Sequence, residues 1–321
     1  MAHHSSQETT APFEVAAFYQ FSTLENLRAL KATLLEICKQ HDLKGIVLLA
    51  AEGINGTLSG APQNLKMGMA AIRSLMGMAD LQHKTSFADT APFLRIKIKI
   101  KAEIVTIGDT TVDPLAQVGT YVEAEDWNVL ISDPEVLLVD VRNGFENAIG
   151  SFKGAVDPQT VSFVDFPGFA KRSLNPSTHK KVAMFCTGGI RCEKATSLML
   201  REGFDEVYHL KGGILAYLER IPADQSLWQG ECFVFDGRVA LGHGLEVQPV
   251  PICVSCNTSL TAEALQSPQY EKGVCCPHCA GSLSPEQILS ARERQRQVVL
   301  AMKRGGQHLG PAAMKNKIEN L

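Results

Sequence analysis

A cysteine followed by glycines and an arginine is the segment of this sequence with the clearest chemical meaning. A thiol at the start of a helix faces unpaired backbone N–H groups and the positive end of the helix dipole. Both favour the thiolate and lower the pKa of the thiol from about 8.5. The segment follows a predicted strand, opens a predicted helix and consists of Cys186, Thr187, Gly188, Gly189, Ile190 and Arg191.

The glycines of this loop let backbone N–H groups point inward around the sulfur as an anion-binding nest, and Arg191 adds a fixed positive charge. Such a loop stabilises a thiolate, a persulfide or an oxyanion. The alternative is a structural cysteine beside a glycine turn, because cysteine is often buried. Cys192 follows directly. It is either a resolving thiol or an ordinary helix residue, and we expect its side chain to point away from Cys186.

Four later cysteines have the spacing of a zinc ribbon. Two Cys-x-x-Cys pairs are separated by nineteen residues, and Cys275 and His278 are spare ligands beside them. Four thiolates would make a bound zinc structural, since a catalytic zinc keeps an open position. Reduced, metal-free cysteines in a flexible tail and an iron–sulfur cluster are the alternatives. The four residues are Cys253, Cys256, Cys276 and Cys279.

A basic strand is predicted where lysines alternate with isoleucines. Its basic side chains should share one face and its isoleucines the buried face. Such a face fits a phosphate backbone, although lysines that protect an edge strand explain it equally well. The candidate RNA-binding residues are Arg95, Lys97, Lys99 and Lys101.

The formal net charge of −3 hides an uneven distribution. Residues 84–101 carry five basic side chains against one acidic, and residues 291–321 carry seven against two. Residues 123–149 carry seven acidic side chains and one basic. The overall charge therefore does not exclude a nucleic-acid partner, and a basic strand together with a basic tail favours one. A solvated helix face is the alternative for the tail.

The elements that must position these residues form two or three domains, because 321 residues exceed one ordinary core. Hydrophobic residues make up 45% of the chain, but no apolar run reaches the roughly 18–20 residues of a membrane span. The N-terminus lacks the pattern of a secretory signal. We therefore expect a cytoplasmic protein in a reducing compartment, where clustered cysteines indicate metal binding or catalysis rather than disulfides.

Residues 13–112 alternate strand and helix signals in the order βαββαβ, which predicts a ferredoxin-like α+β domain. A turn is expected at residues 52–56, where Glu52 and Asn55 either border a ligand pocket or serve the turn alone. The expected strands are 13–21, 45–51, 57–59 and 95–107, and the expected helices are 23–40 and 64–76.

Residues 123–222 have the pattern of an α/β domain with a parallel sheet, with buried strands expected at 136–141 and 181–186. A linker is expected at 109–120. The last predicted region, 223–321, combines a β hairpin with its turn at Asp236-Gly237, the candidate zinc segment and a basic helical tail. His243 in this region is either a pocket residue or a turn residue.

The central domain resembles a rhodanese. The resemblance rests on Val139-Asp140-Val141-Arg142, on Glu146, on the segment 150–155 and on the Cys186 loop. In rhodaneses the loop cysteine carries a persulfide sulfur, and the six-residue loop length is that of sulfur carriers rather than of phosphatases. Asp140 and Arg142 match scaffold positions of the family. The chain has Gly-Ser-Phe where rhodaneses often have Gly-His-Ile.

The whole chain resembles a narrower family. Residues 51–57 (AEGINGT), the pattern Pro-Phe-x-Arg-x-Lys at 92–97, the rhodanese domain and the cysteine-rich end are similar to the tRNA uridine hydroxylases. This resemblance implies oxygen-dependent 5-hydroxylation of the wobble uridine, position 34, with Cys186 as the persulfide residue. It also implies tRNA and a persulfide donor as partners and molecular oxygen as co-substrate.

Three functions therefore compete at this stage. The leading hypothesis is the tRNA-modifying oxidoreductase implied by the resemblance, since the residues themselves indicate only an activated thiolate. The second is a sulfurtransferase that moves sulfane sulfur from thiosulfate or a persulfide to a thiol acceptor. The third is a non-catalytic sensor or adaptor whose rhodanese domain only binds.

Overall fold

The structure, a computed structural model, describes residues 11–305. It divides into two compact units, of which the first ends at Thr106 and the second begins at Ile107. None of the helices within the described range is long and apolar enough to cross a membrane. The last part of the predicted basic tail, from residue 306, lies outside the described residues.

The first unit is a five-stranded sheet with two helices. Strands β1 to β4 are antiparallel in the order β4-β1-β3-β2, and β5 adds to β2 in parallel at the edge. The chain thus has the βαββαβ order of a ferredoxin-like domain, followed by one extra strand. The elements are β1 (Phe13–Phe21), α1 (Leu27–Gln40), β2 (Lys44–Ala50), β3 (Gly53–Gly60), α2 (Pro62–Arg73), β4 (His83–Ala88) and β5 (Ile96–Ile100).

The assignment of the fourth ferredoxin strand to residues 95–107 is wrong. That position belongs to β4, which the sequence pattern does not reveal because five of its six residues are only half-buried. Without alternation between buried and exposed residues, a strand gives no period-two signal. Beyond Ile100 the chain leaves the sheet, and its backbone N–H at Ile104 donates to Oε1 of Glu52 at 2.7 Å.

The predicted turn at residues 52–56 is also too long, because β3 begins at Gly53. Gly53 has φ 147°, and a Cβ there would lie 2.1 Å from the carbonyl oxygen of Gln20. Only glycine allows β1 and β3 to pair at this point. The helices begin at Leu27 and Pro62 rather than at the predicted 23 and 64, and proline is favoured at a first helical position.

The two helices pack against each other and against the sheet. The helix α1 contacts β2 and β5, while α2 contacts β1 and β3. Leucines such as Leu34 and Leu65 turn inward and meet Leu49, Leu58 and Ile98 from the strands in one buried cluster. Burial of this apolar surface provides the main stabilisation of the unit.

The second unit is built on a four-stranded, all-parallel sheet in the order β6-β10-β9-β7. Residues 182–185 of β9 are all buried, so both faces of the sheet are covered, as predicted. The elements are β6 (Thr120–Val122), α3 (Ala124–Ile131), β7 (Val136–Asp140), α4 (Gly144–Asn147), β8 (Gly150–Phe152), α5 (Phe166–Ser173), β9 (Lys181–Phe185), α6 (Ile190–Arg201), β10 (Glu206–Leu210) and α7 (Gly213–Arg220).

Residues 223–250, predicted as a region separate from residues 123–222, contribute side chains to the core of the second unit. Trp228 and Cys232 pack in the same buried cluster as Phe152 and Phe185, and β11 pairs with β8. The hairpin is present, with Cys232 opposite Leu241. The strands of this segment are β11 (Trp228–Gly230), β12 (Cys232–Phe233), β13 (Ala240–Leu241) and β14 (Val247–Gln248).

The remaining described residues form the cysteine-rich segment and a long helix. They contain α8 (Ala262–Gln266) and α9 (Pro285–Lys303). Ser284 caps α9, because its hydroxyl accepts a hydrogen bond from the N–H of Gln287 at 3.2 Å. Along α9 only Ala291 is buried. The charged residues of this helix are therefore available to solvent, as the basic-tail interpretation requires.

Candidate functional site

The Cys186 loop lies at the edge of the sheet where parallel strands β7 and β9 end side by side. The chain leaving β7 carries Arg142 and Glu146, and the chain leaving β9 carries Cys186 and Arg191. In parallel α/β sheets, ligands bind at the carboxyl ends of the strands. The topology therefore brings the acidic and basic residues of one loop to the thiol of the other.

The sulfur of Cys186 accepts hydrogen bonds from the start of helix α6. The Gly189 N–H donates to Sγ at 3.1 Å, and the N–H of Cys192 also donates to it. Gly189 has φ 106°, a conformation that favours glycine. Cys186 itself is fully buried. The backbone therefore forms the anion-binding nest that the glycines predicted.

The surroundings of Cys186 favour the thiolate. Burial alone would raise the pKa of this thiol, but the Cys192 thiol, the charge of Arg191 and the two backbone N–H groups outweigh it and lower the pKa to about 5. Since this lies well below neutral pH, the sulfur is ionised under physiological conditions. The site provides a nucleophile that needs no general base.

The expectation that Cys192 points away from Cys186 is wrong. Its thiol donates a hydrogen bond to the Cys186 sulfur, and burial together with this contact raises the pKa of Cys192 well above its ordinary value. The side chains in the first turn of a helix tilt back toward its N-terminus, so Cys192 reaches the sulfur under the helix start. The pair thus consists of a thiolate and a neutral thiol donor.

Arg191 is held in place by a buried ion pair. Its Nη1 and Nη2 donate to the two carboxylate oxygens of Glu146 at 2.6 and 2.7 Å. Burial raises the pKa of Glu146, but the charge and hydrogen bonds of Arg191 outweigh it and hold that pKa below its usual range. Thr187 adds a hydroxyl that donates to Glu146 at 3.2 Å. Glu146 therefore fixes the guanidinium beside the thiolate.

The rhodanese resemblance includes Glu146 but does not indicate its role. A local signal for it exists, since Glu146 lies three residues after Asn143, the spacing of a capping box. The Asn143 N–H donates to the Glu146 carboxylate at 3.1 Å. The pairing with Arg191, by contrast, depends on the strand order and is invisible in the sequence.

Asp140 and Arg142 form a second buried ion pair that supports the loop after β7. Arg142 Nε donates to Asp140 Oδ1 at 2.8 Å, and its Nη2 donates to the carbonyl of Gly150 at 2.5 Å. Ser151, the residue at the family's histidine position, donates its hydroxyl to Asp140 Oδ2 at 3.0 Å. Both charged side chains are fully buried.

Gly213 packs closely against the backbone of the Cys186 loop. A Cβ at Gly213 would lie 2.4 Å from the carbonyl oxygen of Cys186 and 2.7 Å from that of Thr187. The neighbouring N–H groups of Ile214 and Leu215 donate to these same carbonyls at 2.9 and 3.1 Å. Helix α7 therefore fixes the loop from below, and only glycine allows this close approach.

The four cysteines of the predicted ribbon converge on one point. All four sulfurs lie within 4.8 Å of one another. The distance from Cys253 to Cys279 is 3.7 Å, from Cys256 to Cys276 is 3.6 Å, and from Cys276 to Cys279 is 3.9 Å. Sulfurs bound about 2.3 Å from a tetrahedral zinc are separated by about 3.8 Å. The four residues, here called the cysteine tetrad, fit such an ion without rearrangement.

The spare ligands are not needed for this geometry, since the sulfur of Cys275 lies 3.5 Å from the carbonyl of Gln269 instead. The tetrad is itself the centre of a small buried cluster with Leu260. A segment this short has few apolar residues to bury, so a metal ion would supply much of its stability.

The four candidate RNA-binding residues all expose their side chains in the first unit. Lys97 and Lys99 lie on β5, which is an edge strand. Ile98 is buried beneath them, but Ile100 is 39% exposed, so the opposite face is less completely covered than the alternation predicted. The edge position is compatible with both interpretations of the lysines, RNA binding and protection of the edge.

Two of the other polar candidates, Glu52 and Asn55, have local structural partners. Glu52 accepts the N–H of Ile104 at 2.7 Å, and Asn55 donates to the carbonyl of Ile104 at 3.0 Å. Both side chains thus connect the chain after β5 to the β2–β3 hairpin, Glu52 from its turn and Asn55 from β3. His243 begins a single 3₁₀ turn at residues 243–245.

Two family descriptions match this chain. Residues 13–104 match the UPF0176 acylphosphatase like domain, and residues 123–220 match the rhodanese-like domain. Together with the thiolate loop at the carboxyl end of a parallel sheet, the second match defines the class: a rhodanese-domain protein. Among solved structures, a rhodanese-like domain from Anabaena sp. is 22% identical over 34% of this chain and 78% of its own, with a TM-score of 0.29.

The curated relatives define the family more narrowly. A tRNA uridine(34) hydroxylase from Rhizobium etli is 50% identical over 94% of this chain and 97% of that protein. One from Rhizobium leguminosarum bv. trifolii is 49% identical with the same coverage. The chain belongs to the tRNA uridine(34) hydroxylase family, which confirms the resemblance found in the sequence.

Proposed function

We propose that this protein hydroxylates uridine 34 of tRNA at C5 and that the Cys186 sulfur, as thiolate or persulfide, is its essential reactive group. The observation that carries the proposal is the buried thiolate, which accepts the Gly189 N–H at 3.1 Å and has a pKa of about 5. It occurs in a chain half identical, over nearly its full length, to proteins named for this reaction.

The residues around the sulfur have distinct roles in this proposal. The backbone N–H groups at the start of α6 and the Cys192 thiol hold the negative charge on Cys186. Arg191 supplies a positive charge that Glu146 keeps in place through two hydrogen bonds. Because these groups are fixed before the reaction, they stabilise an anion at the loop without reorganisation.

Molecular oxygen is the proposed co-substrate. Replacing the C5–H of uracil by C5–OH inserts one oxygen atom into that bond and withdraws two electrons from the base. The second oxygen atom of O₂ leaves as water, which requires two protons and two further electrons from a donor of the dithiol class. A persulfide donor is the proposed source of the sulfane sulfur on Cys186.

The tRNA partner is proposed to bind the basic residues on strand β5 and directly beside it. Arg95, Lys97, Lys99 and Lys101 are all exposed, and lysines on one strand face follow a phosphate backbone without reading its sequence. The base is proposed to leave the stack to reach the Cys186 loop, because proteins that recognise single-stranded RNA loops splay individual bases out of the stack.

A structural zinc ion is proposed for the cysteine tetrad, since its sulfur–sulfur distances of 3.6 to 3.9 Å match a tetrahedral site. Four thiolate ligands leave no open coordination position, so the ion would stabilise the segment rather than take part in the reaction.

Nucleoside mass spectrometry of tRNA from a deletion strain tests the proposed reaction. We expect 5-hydroxyuridine and nucleosides derived from it to disappear on deletion and to return when the gene is restored. Unchanged amounts in the deletion strain would overturn the proposal. Measurement under oxygen-limited growth adds a second arm, because the modification should fall as oxygen is withdrawn.

Sulfur transfer is the second candidate, favoured by the six-residue loop from Cys186 to Arg191 and by the activated thiolate. Two results together would establish sulfur transfer instead. The purified protein would convert thiosulfate and cyanide efficiently, and deletion of the gene would leave the tRNA modifications unchanged. The adaptor hypothesis predicts that Cys186→Ser leaves both assays unchanged.

A further inference from the structure

An exposed aromatic ring lies beside the Cys186 loop. Phe235 follows strand β12 in the hairpin loop, and 60% of its side chain is exposed. Its ring centroid lies 5.9 Å from Cζ of Arg191, the residue whose charge acts on Cys186. Neither the thiolate nor the ion pair explains why a large apolar side chain remains exposed here. Exposed apolar groups beside a reactive site are typical of a ligand surface.

Two other rings hold Phe235 in position. Phe233 is buried, and its centroid lies 5.1 Å from that of Phe235 with the planes at 81°. Phe145 on α4 packs edge-on against both, at 5.2 Å from Phe233 and 6.4 Å from Phe235. Edge-to-face contacts at these distances are favourable. The ring is therefore oriented before any ligand binds.

The hairpin loop is rigid beyond its aromatic residues. Arg238 and Asp236 form an ion pair at 2.6 Å, with both side chains at least nine-tenths buried. The N–H of Val234 donates to the carbonyl of Val239 at 2.8 Å and closes the loop. Binding of a ligand on Phe235 would therefore cost little conformational entropy, because the ring is already ordered.

The chemistry of the ring identifies its ligand. Phenylalanine has no hydrogen-bonding group, and the exposed part of its ring offers a flat apolar surface on which a planar base can stack. A uridine that reacts at C5 must be unstacked from its neighbours, and unstacked bases in RNA complexes stack on aromatic side chains. We propose that Phe235 is the surface on which the uracil base of position 34 stacks beside the Cys186 loop. This inference rests on the proposed function and adds the residue that positions the base.

The test compares two anticodon stem-loop RNAs binding to the full-length protein, one with uridine at position 34 and one with an abasic site there. Stacking of one base on an aromatic residue is worth about a tenfold change in affinity. We expect the wild-type protein to bind the uridine RNA about tenfold more tightly than the abasic RNA. Phe235→Ala should bind both RNAs with the affinity of the abasic one.

Conservative variants separate stacking from structure. Phe235→Tyr and Phe235→Trp should keep the preference for uridine, whereas Phe235→Leu, which keeps an apolar side chain without a π-face, should lose it. Val129→Ala is the matched control, since Val129 is 77% exposed on helix α3 and is given no role in binding. The unfolding temperature should fall only slightly in Phe235→Ala, because that variant loses the edge-to-face contacts with Phe233 and Phe145 but the ring is mostly exposed.

Retention of the tenfold preference in Phe235→Ala, or its absence in the wild-type protein, would overturn the inference. The amount of 5-hydroxyuridine in cellular tRNA distinguishes an error in the stacking role of Phe235 from an error in the proposed function. If strains carrying the wild-type gene contain the modified nucleoside and the RNA preference is still insensitive to Phe235, the reaction stands and the stacking role is wrong. If deletion leaves the nucleoside unchanged, both are wrong.

Discussion

The Cys186 loop and the cysteine tetrad use the same atom in opposite surroundings. The sulfur of Cys186 is surrounded by N–H donors, a guanidinium and one neutral thiol, that of Cys192, whereas each sulfur of the tetrad has three other candidate ligand sulfurs within 4.8 Å. A lone thiolate supported by donors is stable as an anion and remains reactive. Four adjacent thiolates repel one another unless they share a cation. The surroundings, rather than the cysteine itself, therefore decide between chemistry and structure.

Removal of one sulfur from the tetrad should have the largest effect of the changes considered. Cys256→Ser should reduce the zinc content of the purified protein from about one equivalent to below about 0.2, because an alcohol replaces a thiolate ligand. Atomic emission spectroscopy measures the metal, and the segment around the tetrad should become sensitive to proteolysis.

Cys275→Ser is the matched control for this variant, since Cys275 is adjacent to the tetrad but its sulfur lies 3.5 Å from a backbone carbonyl. It should keep its zinc. Wild-type protein that binds less than about 0.2 equivalents with all of its thiols titratable would contradict the metal assignment.

Removal of the Cys192 thiol tests how much this side chain contributes to the ionisation of Cys186. In Cys192→Ala the hydrogen bond from Cys192 to the Cys186 sulfur is lost, so the pKa of Cys186 should rise from about 5 by roughly one to two units. A higher pKa means less thiolate at mildly acidic pH and a pH–activity profile shifted upward. The thiolate absorbance at 240 nm, taken as the difference between each protein and its Cys186→Ser counterpart, measures this midpoint.

Cys192→Ser keeps a hydrogen-bond donor and should shift the midpoint less than Cys192→Ala does. An unchanged pKa in the alanine variant would show that the backbone N–H groups and Arg191 hold the thiolate without help from Cys192. The Cys186 thiolate would then be stable without a second sulfur, whereas a metal ion in the tetrad needs all four.

The smallest effect is expected from a change that touches neither sulfur site. Reversing Lys97 and Lys99 to glutamate should weaken tRNA binding several-fold and reduce the dependence of the affinity on salt, because fewer counterions are released. Zinc content and the pKa of Cys186 should stay as in the wild type. An unchanged salt slope would assign both lysines to protection of the edge strand.

The features that are local in sequence could be predicted, and those that depend on strand order could not. The Cys186 loop and the spacing of the tetrad are contiguous patterns, so their residues were found directly. The contacts of Arg191 with Glu146 and Phe235 arise only when β7, β9 and the later hairpin come together. The periodicity of the sequence does not predict which strands become neighbours, and so it does not predict these contacts.

The errors have similar physical causes. Strand β4 (residues 83–88) was missed because its residues are half-buried without alternation. Cys192 was expected to face away because its position was judged from helical spacing alone, although side chains in a first helical turn lean back toward the N-terminus. The packing of Trp228 with Phe152 in the core of the second unit was likewise not predicted, since a short strand that pairs with a distant one carries no local signal.

The central claim, that a single thiolate carries the reaction, is tested most directly by the 5-hydroxyuridine content of tRNA from a deletion strain that expresses Cys186→Ser. We predict no detectable 5-hydroxyuridine or derived nucleoside in that strain. A strain expressing Cys38→Ala, which changes a buried cysteine in the core of the first unit, should have normal amounts. Normal modification in the Cys186→Ser strain, with the variant protein present at wild-type levels, would contradict the account.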